Sequence, residues 1–314
     1  MSARNGQNGP PPRVTVVMST NRLSPYLAEA LQSVKDQSFT DWQLLVMDNR
    51  SPDPRRLRDV VATVPDAVVV PEAGHVVSIP LNHGAALARG EYVTFLDDDD
   101  VWMPDRLARL VAALNAEPGA GAAYSSVDVI DSHGERRGAL FVSDGESGRD
   151  LLAGRYPFPN LVSMLFRRTE LLRVGGFNPA FRYAEDTDLT FRMLQYSRMV
   201  GVPQVLTLYR RHEENVTKVA PTVVHDAARR MIRMQLWGAE NHPDPHVLAD
   251  VRANLAALDS RDAADSVGEA VDRIRGGRAG AAVAMVARAA RLDLAAAARE
   301  TWRRARLRLI TTGR

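Results

Sequence analysis

"YVTFLDDDDVWMP", Tyr92 to Pro104, sets an apolar, strand-forming run directly against four consecutive carboxylates. Like charges this close raise one another's pKa unless a cation or hydrogen-bond donors offset the repulsion. One reading is a solvated turn, or an N-cap for a helix starting at Pro104. An EF-hand is excluded, because the alternating ligands, central glycine and terminal glutamate are missing. The third reading is a hard-oxygen site for Mg²⁺ or Mn²⁺ carried by a diphosphate, whose oxygens would fill the remaining positions.

On either side of this stretch the pattern is regular. "RVTVVMST" from Arg13 reads as a buried strand, and a helix should follow it with Ser24 as N-cap and Pro25 at its first position. "DWQLLVMDNRS" gives a second strand ending at Asp48, "PRRLRDVVATV" a helix and "AVVVPEA" a third strand. "NHGAALARG" predicts a short helix stopped by Gly90, and Pro104 opens a helix with Leu107, Leu110, Val111 and Leu114 on its core face. Strands alternating with helices over roughly the first 115 residues imply an α/β fold with a mostly parallel sheet covered on both faces. Ligands bind such sheets at the carboxyl ends of the strands, so "STNR", "DNRS" and "DDDD" should converge on one rim.

Beyond residue 116, "AAYSSVDVIDSHGERRGALFV" suggests a hairpin turning at "SHGE". "NLVSMLFRR" reads as a strand, "TELLRVGG" as a short helix capped by Thr169, "EDTDLTFRMLQY" as a longer helix and "GVPQVLTLYRRH" as a final extended run. From Pro221 the composition shifts to Ala, Arg and Leu with helical periods such as Met231, Met234, Gln235 and Gly238, broken at "RGGRAG". The expected organisation is a tail over 1–12, a catalytic domain over 13–220 with halves 13–115 and 116–220, and a helical region over 221–314.

A 45% hydrophobic and 25% charged composition belongs to a folded globular chain. The formal net charge of only +2 gives no reason to expect nucleic acid as a partner. With no cysteine there is no thiolate chemistry and no disulfide, which suits a cytoplasmic setting. No apolar run is long enough to span a bilayer, and "MSARNGQNGPPPR" lacks the apolar core of a signal peptide. "RLDLAAAARETWRRARLRLITTGR" mixes arginines with Leu292, Leu294, Trp302, Leu307 and Leu309. It reads either as a helix packed on the rest of the protein or as a basic amphipathic helix touching an anionic membrane peripherally.

Taken in order, "VTVVMSTNR", "LAEALQSVKDQSFTDWQLLVMDNRSPD", "NHGAALARGEYVTFLDDDDVWMPDRL", "RRTELLRVGGF", "YAEDTDLTFRM" and "YRRHEENVT" resemble the inverting GT-A glycosyltransferases of family 2, from about Arg13 to Lys218. The resemblance implies a Rossmann-like GT-A domain that transfers a sugar from a nucleotide-diphospho-sugar, such as a UDP-, dTDP- or GDP-sugar, with Mn²⁺ or Mg²⁺ as cofactor. The acceptor would be a saccharide, a lipid-linked species or a small molecule. By position, Thr20 would line the nucleobase pocket, Asp48 would bind base or ribose, and Asp97 or Asp98 the ribose and phosphate side. Asp99 would hold the metal, with His212 a candidate second contact, and Asp186 would be the catalytic base. Glu185 beside it, Arg22 and Trp102 are further candidates for donor or acceptor contact, Trp102 being equally suited to core packing.

The sequence also departs from the family pattern. "STNR" stands where the first strand commonly ends Pro-Thr-Tyr-Asn, which removes an aromatic partner for the base. Leu81 stands where an arginine often precedes the family's asparagine, so that a diphosphate contact is either missing or supplied by Arg22, Arg50 or Arg89. Two other functions remain open on these residues: a phosphotransferase using one of the four acids as nucleophile, and an inactive nucleotide-sugar or partner-binding module on the same fold.

Overall fold

The computed structural model describes residues 10–74, 76–143, 148–215 and 221–311, with side chains through Arg304. His75 and residues 1–9 of the expected tail lie outside this set. Two compact units emerge: Met1–Leu151 with Pro157–Asn215, and Leu152–Tyr156 with Val216–Arg314.

The first unit begins with β1 (Val14–Thr20), α1 (Leu27–Lys35), β2 (Trp42–Asn49), α2 (Pro54–Val61), β3 (Ala67–Glu72), α3 (Ser78–Leu87) and β4 (Tyr92–Asp97). It continues through β5 (Val101–Trp102), α4 (Arg106–Ala116), β6 (Ala120–Ile130), β7 (Arg136–Phe141) and a short α5 (Gly148–Leu152). It closes with β8 (Met164–Arg167), α6 (Arg168–Arg173), α7 (Glu185–Tyr196) and β9 (Arg198–Arg210). The strands form one sheet in the order β3-β2-β1-β4-β8-β6-β9-β5, with β7 paired to β6. From β3 to β4 every pairing is parallel, as the alternating sequence requires. The second half is mixed: β8 runs antiparallel to both β4 and β6, β6 and β9 are parallel, and β7 returns from β6 as the expected hairpin.

Register brings the predicted rim together. Thr20 pairs with Asp48 across β1 and β2, and Ser19 pairs with Asp97 across β1 and β4. Alternation along β1 sends Val14, Val16 and Met18 into one core with α1, α2 and α4, and Val17 into a second with α3, α6 and α7. Both faces of the sheet are thereby covered.

Several local expectations shift. Helix α1 starts at Leu27, and Ser24 instead uses its Oγ to accept the Tyr26 N–H at 3.2 Å in the preceding turn. Helix α4 starts at Arg106, because the Gln37 side chain intervenes: its amide donates to Met103 O at 2.9 Å and its oxygen accepts the Leu107 N–H at 2.9 Å. A residue 70 positions away thus does the capping that Pro104 and its neighbours were expected to do. Helix α6 begins one residue before Thr169 and has no side-chain cap. Gly90 is not the stop of α3, which ends at Leu87. A Cβ at Gly90 would lie 2.7 Å from the Thr15 backbone nitrogen, so close strand approach explains that glycine.

Arg106 is wholly buried between β4, β8 and β9. It donates to Thr94 Oγ1, Thr207 Oγ1, Val162 O and Met164 O, and its guanidinium lies 4.0 Å from the centre of the Trp102 ring. Burial lowers its pKa to about 9. Its Nε and Nη2 carry all four bonds, and the Nη1 is buried with no hydrogen-bond partner among the described residues, so acceptors on one edge and the Trp102 ring offset only part of the cost of burying this cation.

The second unit holds α8 (Pro221–Ala239), α9 (Pro245–Arg275), α10 (Ala279–Leu292) and α11 (Leu294–Thr311). The break at "RGGRAG" is the end of α9, where Gly277 takes a left-handed φ of 73°. Its apolar cluster is small and alanine-rich, comprising Ala263, Val267, Ala289, Ala296 and Ala297. An ion-pair network supplements it, with Arg229 bound to Asp226, Asp259 and Asp262, and Arg288 to Asp226 and Asp262. Buried Arg229 and its aspartate partners fix which side of α8 turns inward, so Met231 and Ile232 are buried while Met234, expected on the same face, is 56% exposed.

Helix α3 reaches β1 only because residue 84 lacks a side chain: a Cβ there would lie 2.4 Å from Val17 Cγ1. Gly84→Ala should therefore destabilise the protein by about 1–3 kcal/mol, the usual cost of overpacking a dense core. Urea unfolding checks this, and an unchanged midpoint would show that the contact relaxes freely.

Candidate active site

The acid run turns sharply off the end of β4. Asp98, Asp99 and Asp100 are buried and Asp97 is exposed at the mouth. Carboxylate oxygens of Asp97, Asp99 and Asp100 all lie within 4.8 Å of one another. Such packing needs donors, and the strand ends provide them. Thr20 Oγ1 donates to Asp98 Oδ2 at 2.5 Å. Asp99 Oδ2 accepts from Arg22 Nη2 at 2.7 Å and lies 2.8 Å from His212 Nε2. Because the Glu214 backbone N–H donates to His212 Nδ1 at 3.2 Å, the hydrogen-bond pattern assigns the imidazole proton to Nε2, aimed at Asp99.

Beneath the loop lies Arg210, 1% exposed. Its Nε donates to Asp99 O at 2.8 Å, its backbone N–H to Asp100 Oδ1 at 2.8 Å, and its Nη2 to Glu29 Oε2 at 2.6 Å. Tyr26 packs against the same guanidinium at 4.4 Å and against the His212 ring at 5.1 Å. Asp100 Oδ2 is buried with no hydrogen-bond partner. An orphaned carboxylate oxygen beside two further carboxylates is the donor set a hard divalent cation fits.

Helix α7 delivers the other acids. Ala184 caps it in the left-handed region, φ 66° and ψ 22°, a strained setting for a residue with a Cβ and one that recurs at functional sites. Asp186 Oδ1 accepts the Thr187 N–H at 2.7 Å. The approach to α7 is clamped: Asn82 exchanges two hydrogen bonds with Phe177, each 2.7 Å, and Arg192 binds Asp188, Val174 O and Gly176 O. Asp188 is accordingly a structural acid on this helix.

The charges interact across the cleft. Burial, followed by the charges of Asp99, Asp98, Glu185 and Asp186, pushes Asp97 up to about 8. Its side chain still meets solvent, so repulsion from these neighbouring carboxylates is the larger cause. Burial and then Asp186 raise Glu185 to about 7. Burial also raises Asp186 and Asp98, opposed by Thr187 and by Thr20 with Arg22 respectively. Thus Thr20, Arg22, Asp97, Asp98, Asp99, Glu185, Asp186 and His212 share one rim. Asp48 stands level with Thr20 and accepts the Ser51 N–H at 2.9 Å. Trp102 does not join them: it is 2% exposed under Arg106, so no face is open to a ligand and core packing describes it.

Reasoning from sequence missed Asp100, Arg210, Glu214 and the Asn82 clamp. Arg210 and Glu214 lay inside the "YRRHEENVT" motif, but nothing local indicates contacts with acids 110 residues earlier.

The profile described as "Glycosyl transferase family 2" matches residues 15–182, more than half of the chain, so the chain belongs to that family. It is 32% identical over 267 residues to the protein y4gI of Sinorhizobium fredii, covering 81% of this chain and 28% of that one. It is 29% identical over 195 residues to the O-antigen biosynthesis protein RfbC of Myxococcus xanthus, covering 60% of this chain and 15% of that one. This chain therefore spans only a minor part of either relative. The crystal structure of S. aureus TarS 1-349 in complex with UDP-GlcNAc superimposes with a TM-score of 0.61 over 87% of this chain and 90% of that one, at 15% identity. The α/β GT-A architecture is shared with it.

Between about pH 4 and 8 the folded state keeps a proton on Asp97 that the unfolded chain releases, so stability should fall as pH rises through that window. Glu185 acts in the same direction up to about 7. The Tm of chelator-treated protein should decline from pH 5 to 8.5, and Asp97→Asn should flatten that decline. Parallel slopes for the two proteins would contradict the assignment.

Proposed function

We propose that this chain is a metal-dependent, inverting glycosyltransferase that moves a sugar from a nucleotide-diphospho-sugar to an acceptor hydroxyl in a single displacement. The observation carrying this reading is the meeting of two acid groups, Asp97–Asp100 and Glu185–Asp186, at the carboxyl rim of the sheet. Thr20 and Asp48 bind the nucleoside, and Asp97 and Asp98 the ribose and phosphate side. Asp99, supported by Asp97 and Asp100, holds the divalent cation, Mn²⁺ or Mg²⁺, and His212 orients Asp99 through its Nε2 proton. When bound, the cation supplies positive charge that offsets the charge developing on the departing diphosphate.

Asp186 takes the acceptor's proton. Its Oδ1 is fixed by Thr187, leaving Oδ2 for the hydroxyl, and a pKa raised by burial strengthens the carboxylate as a base. Attack on the anomeric carbon from the face opposite the diphosphate inverts its configuration. Family membership supports a nucleotide-sugar donor, and the TarS complex makes UDP-sugars the first to try. Acceptors are saccharides, lipid-linked or small-molecule hydroxyls, with O-antigen biosynthesis in the Myxococcus relative favouring glycans. Asp186→Asn should lower kcat by about 10²–10⁴-fold with donor affinity retained, and Asp99→Asn should lower it by about 10²–10³-fold with loss of metal response. Wild-type rates of transfer or donor hydrolysis in either variant would refute the site.

A cytoplasmic location with peripheral membrane contact is part of the same reading. Residues 273–314 carry eleven arginines against two acids, Asp293 and Glu300. Val283, Leu294 and Trp302 are 68%, 69% and 74% exposed, and no helix among the described residues is long and apolar enough to cross a membrane. Anionic surfaces attract such segments. The protein should sediment with phosphatidylglycerol vesicles and not with phosphatidylcholine ones, and the double variant Leu294→Ala, Trp302→Ala should bind less. Equal recovery from both lipids would refute the contact.

A further inference from the structure

Arg22 replaces the neutral end of the family's first-strand motif, and the structure gives it a definite position. Its Nη2 lies 2.7 Å from Asp99 Oδ2 and 3.5 Å from Asp98 Oδ1, while its Nη1 reaches Glu214 O at 3.3 Å and Glu214 Oε2 at 3.6 Å. A cation already sits against the carboxylates assigned to the metal. We propose that Arg22 is an exchangeable counter-cation: it neutralises Asp98 and Asp99 in the empty site and moves to the diphosphate oxygens when donor and metal enter together. This rests on the glycosyltransferase reading of the site and adds to it a positioning residue that couples the two ligands.

Asp99 Oδ2 already receives both Arg22 and His212. A divalent ion arriving alone would have to displace Arg22 from that oxygen or leave two cations within hydrogen-bond range of one carboxylate. Among the described residues, a guanidinium displaced from Asp99 keeps Asp98 and Glu214 as its acidic neighbours, at 3.5 Å and 3.6 Å. A diphosphate changes this, because its oxygens match the planar fork of an arginine and receive it as it leaves the acids. Reach is not limiting, since Arg22 is anchored beside Thr20 at the end of β1 and its side chain is only partly buried. Metal and diphosphate should therefore bind with positive coupling, each tightening the other by the same factor, and the coupling should depend on Arg22. A residue serving only to hold the fold could not make metal binding tighter when removed.

Calorimetric titration of the full chain with Mn²⁺, alone and with saturating pyrophosphate, tests this without reference to nucleobase or turnover. Arg22→Gln should bind Mn²⁺ alone about 10-fold more tightly than wild type, and the factor by which pyrophosphate tightens Mn²⁺ should shrink by a similar amount. Arg22→Lys, which keeps the charge without the fork, should retain the weak metal binding. An Arg22→Gln protein with an unchanged Tm and Mn²⁺ affinity no higher than wild type would overturn the proposal, as would undiminished coupling. Asp99→Asn separates the two levels of inference. If it abolishes metal binding while Arg22→Gln gives no gain, only the exchange fails; if it leaves metal binding intact, the site reading fails with it.

Discussion

Crowding of carboxylates at the end of β4 is the constraint around which the first unit is arranged. Four acids in succession repel, and three of them are buried, so their neighbours must supply donors. Arg210 does part of this from below, holding the Asp99 carbonyl and the Asp100 carboxylate through one residue while Glu29 balances its charge. Arg22, Thr20 and His212 do it from the rim. One oxygen of Asp100 is left over, and the acids across the cleft on α7 raise the charge density again. Carboxylates crowded and shifted to this degree are a recurrent mark of binding and catalytic sites.

The sheet serves that cluster by register. Parallel pairing of β1 with β2 and β4 puts Thr20 level with Asp48 and Ser19 level with Asp97, and the end of β9 brings Arg210 under the acids, with His212 two residues on against Asp99. Buried Arg106 ties β4, β8 and β9 together just below the loop, where a hydrophobic side chain could not satisfy the carbonyls of Val162 and Met164. The left-handed Ala184 and the clamps formed by Asn82 and Arg192 set the angle at which α7 presents Glu185 and Asp186. Rigid supports of this kind suit a site that must stay assembled as ligands bind.

Much of this was readable in the sequence, for identifiable reasons. Buried parallel strands have strong apolar runs, so β1, β2 and β4 and the polar residues at their ends stood out, and with them the rim. The acid run and "YAEDTDL" were visible because charge beside apolar periodicity is a local signal. Contacts closing over long separations were not visible: Gln37 capping α4, Arg210 under Asp99 and Asn82 against Phe177 depend on tertiary placement. Trp102 was ambiguous because an aromatic after a functional loop looks the same in sequence whether it faces ligand or core. In α8 the helical period was right but the buried face was rotated, since Arg229 is drawn inward by three aspartates that no hydrophobic pattern reports.

The central claim is that the acids at the end of β4 bind a divalent ion together with the donor's diphosphate. Crystals grown with Mn²⁺ and UDP, measured at the manganese absorption edge, test it most directly. The account predicts one anomalous peak at Asp99, bridged to diphosphate oxygens, with the uracil beside Thr20 and Asp48. Bound UDP with no peak at Asp99, or a peak held by other residues, would contradict it.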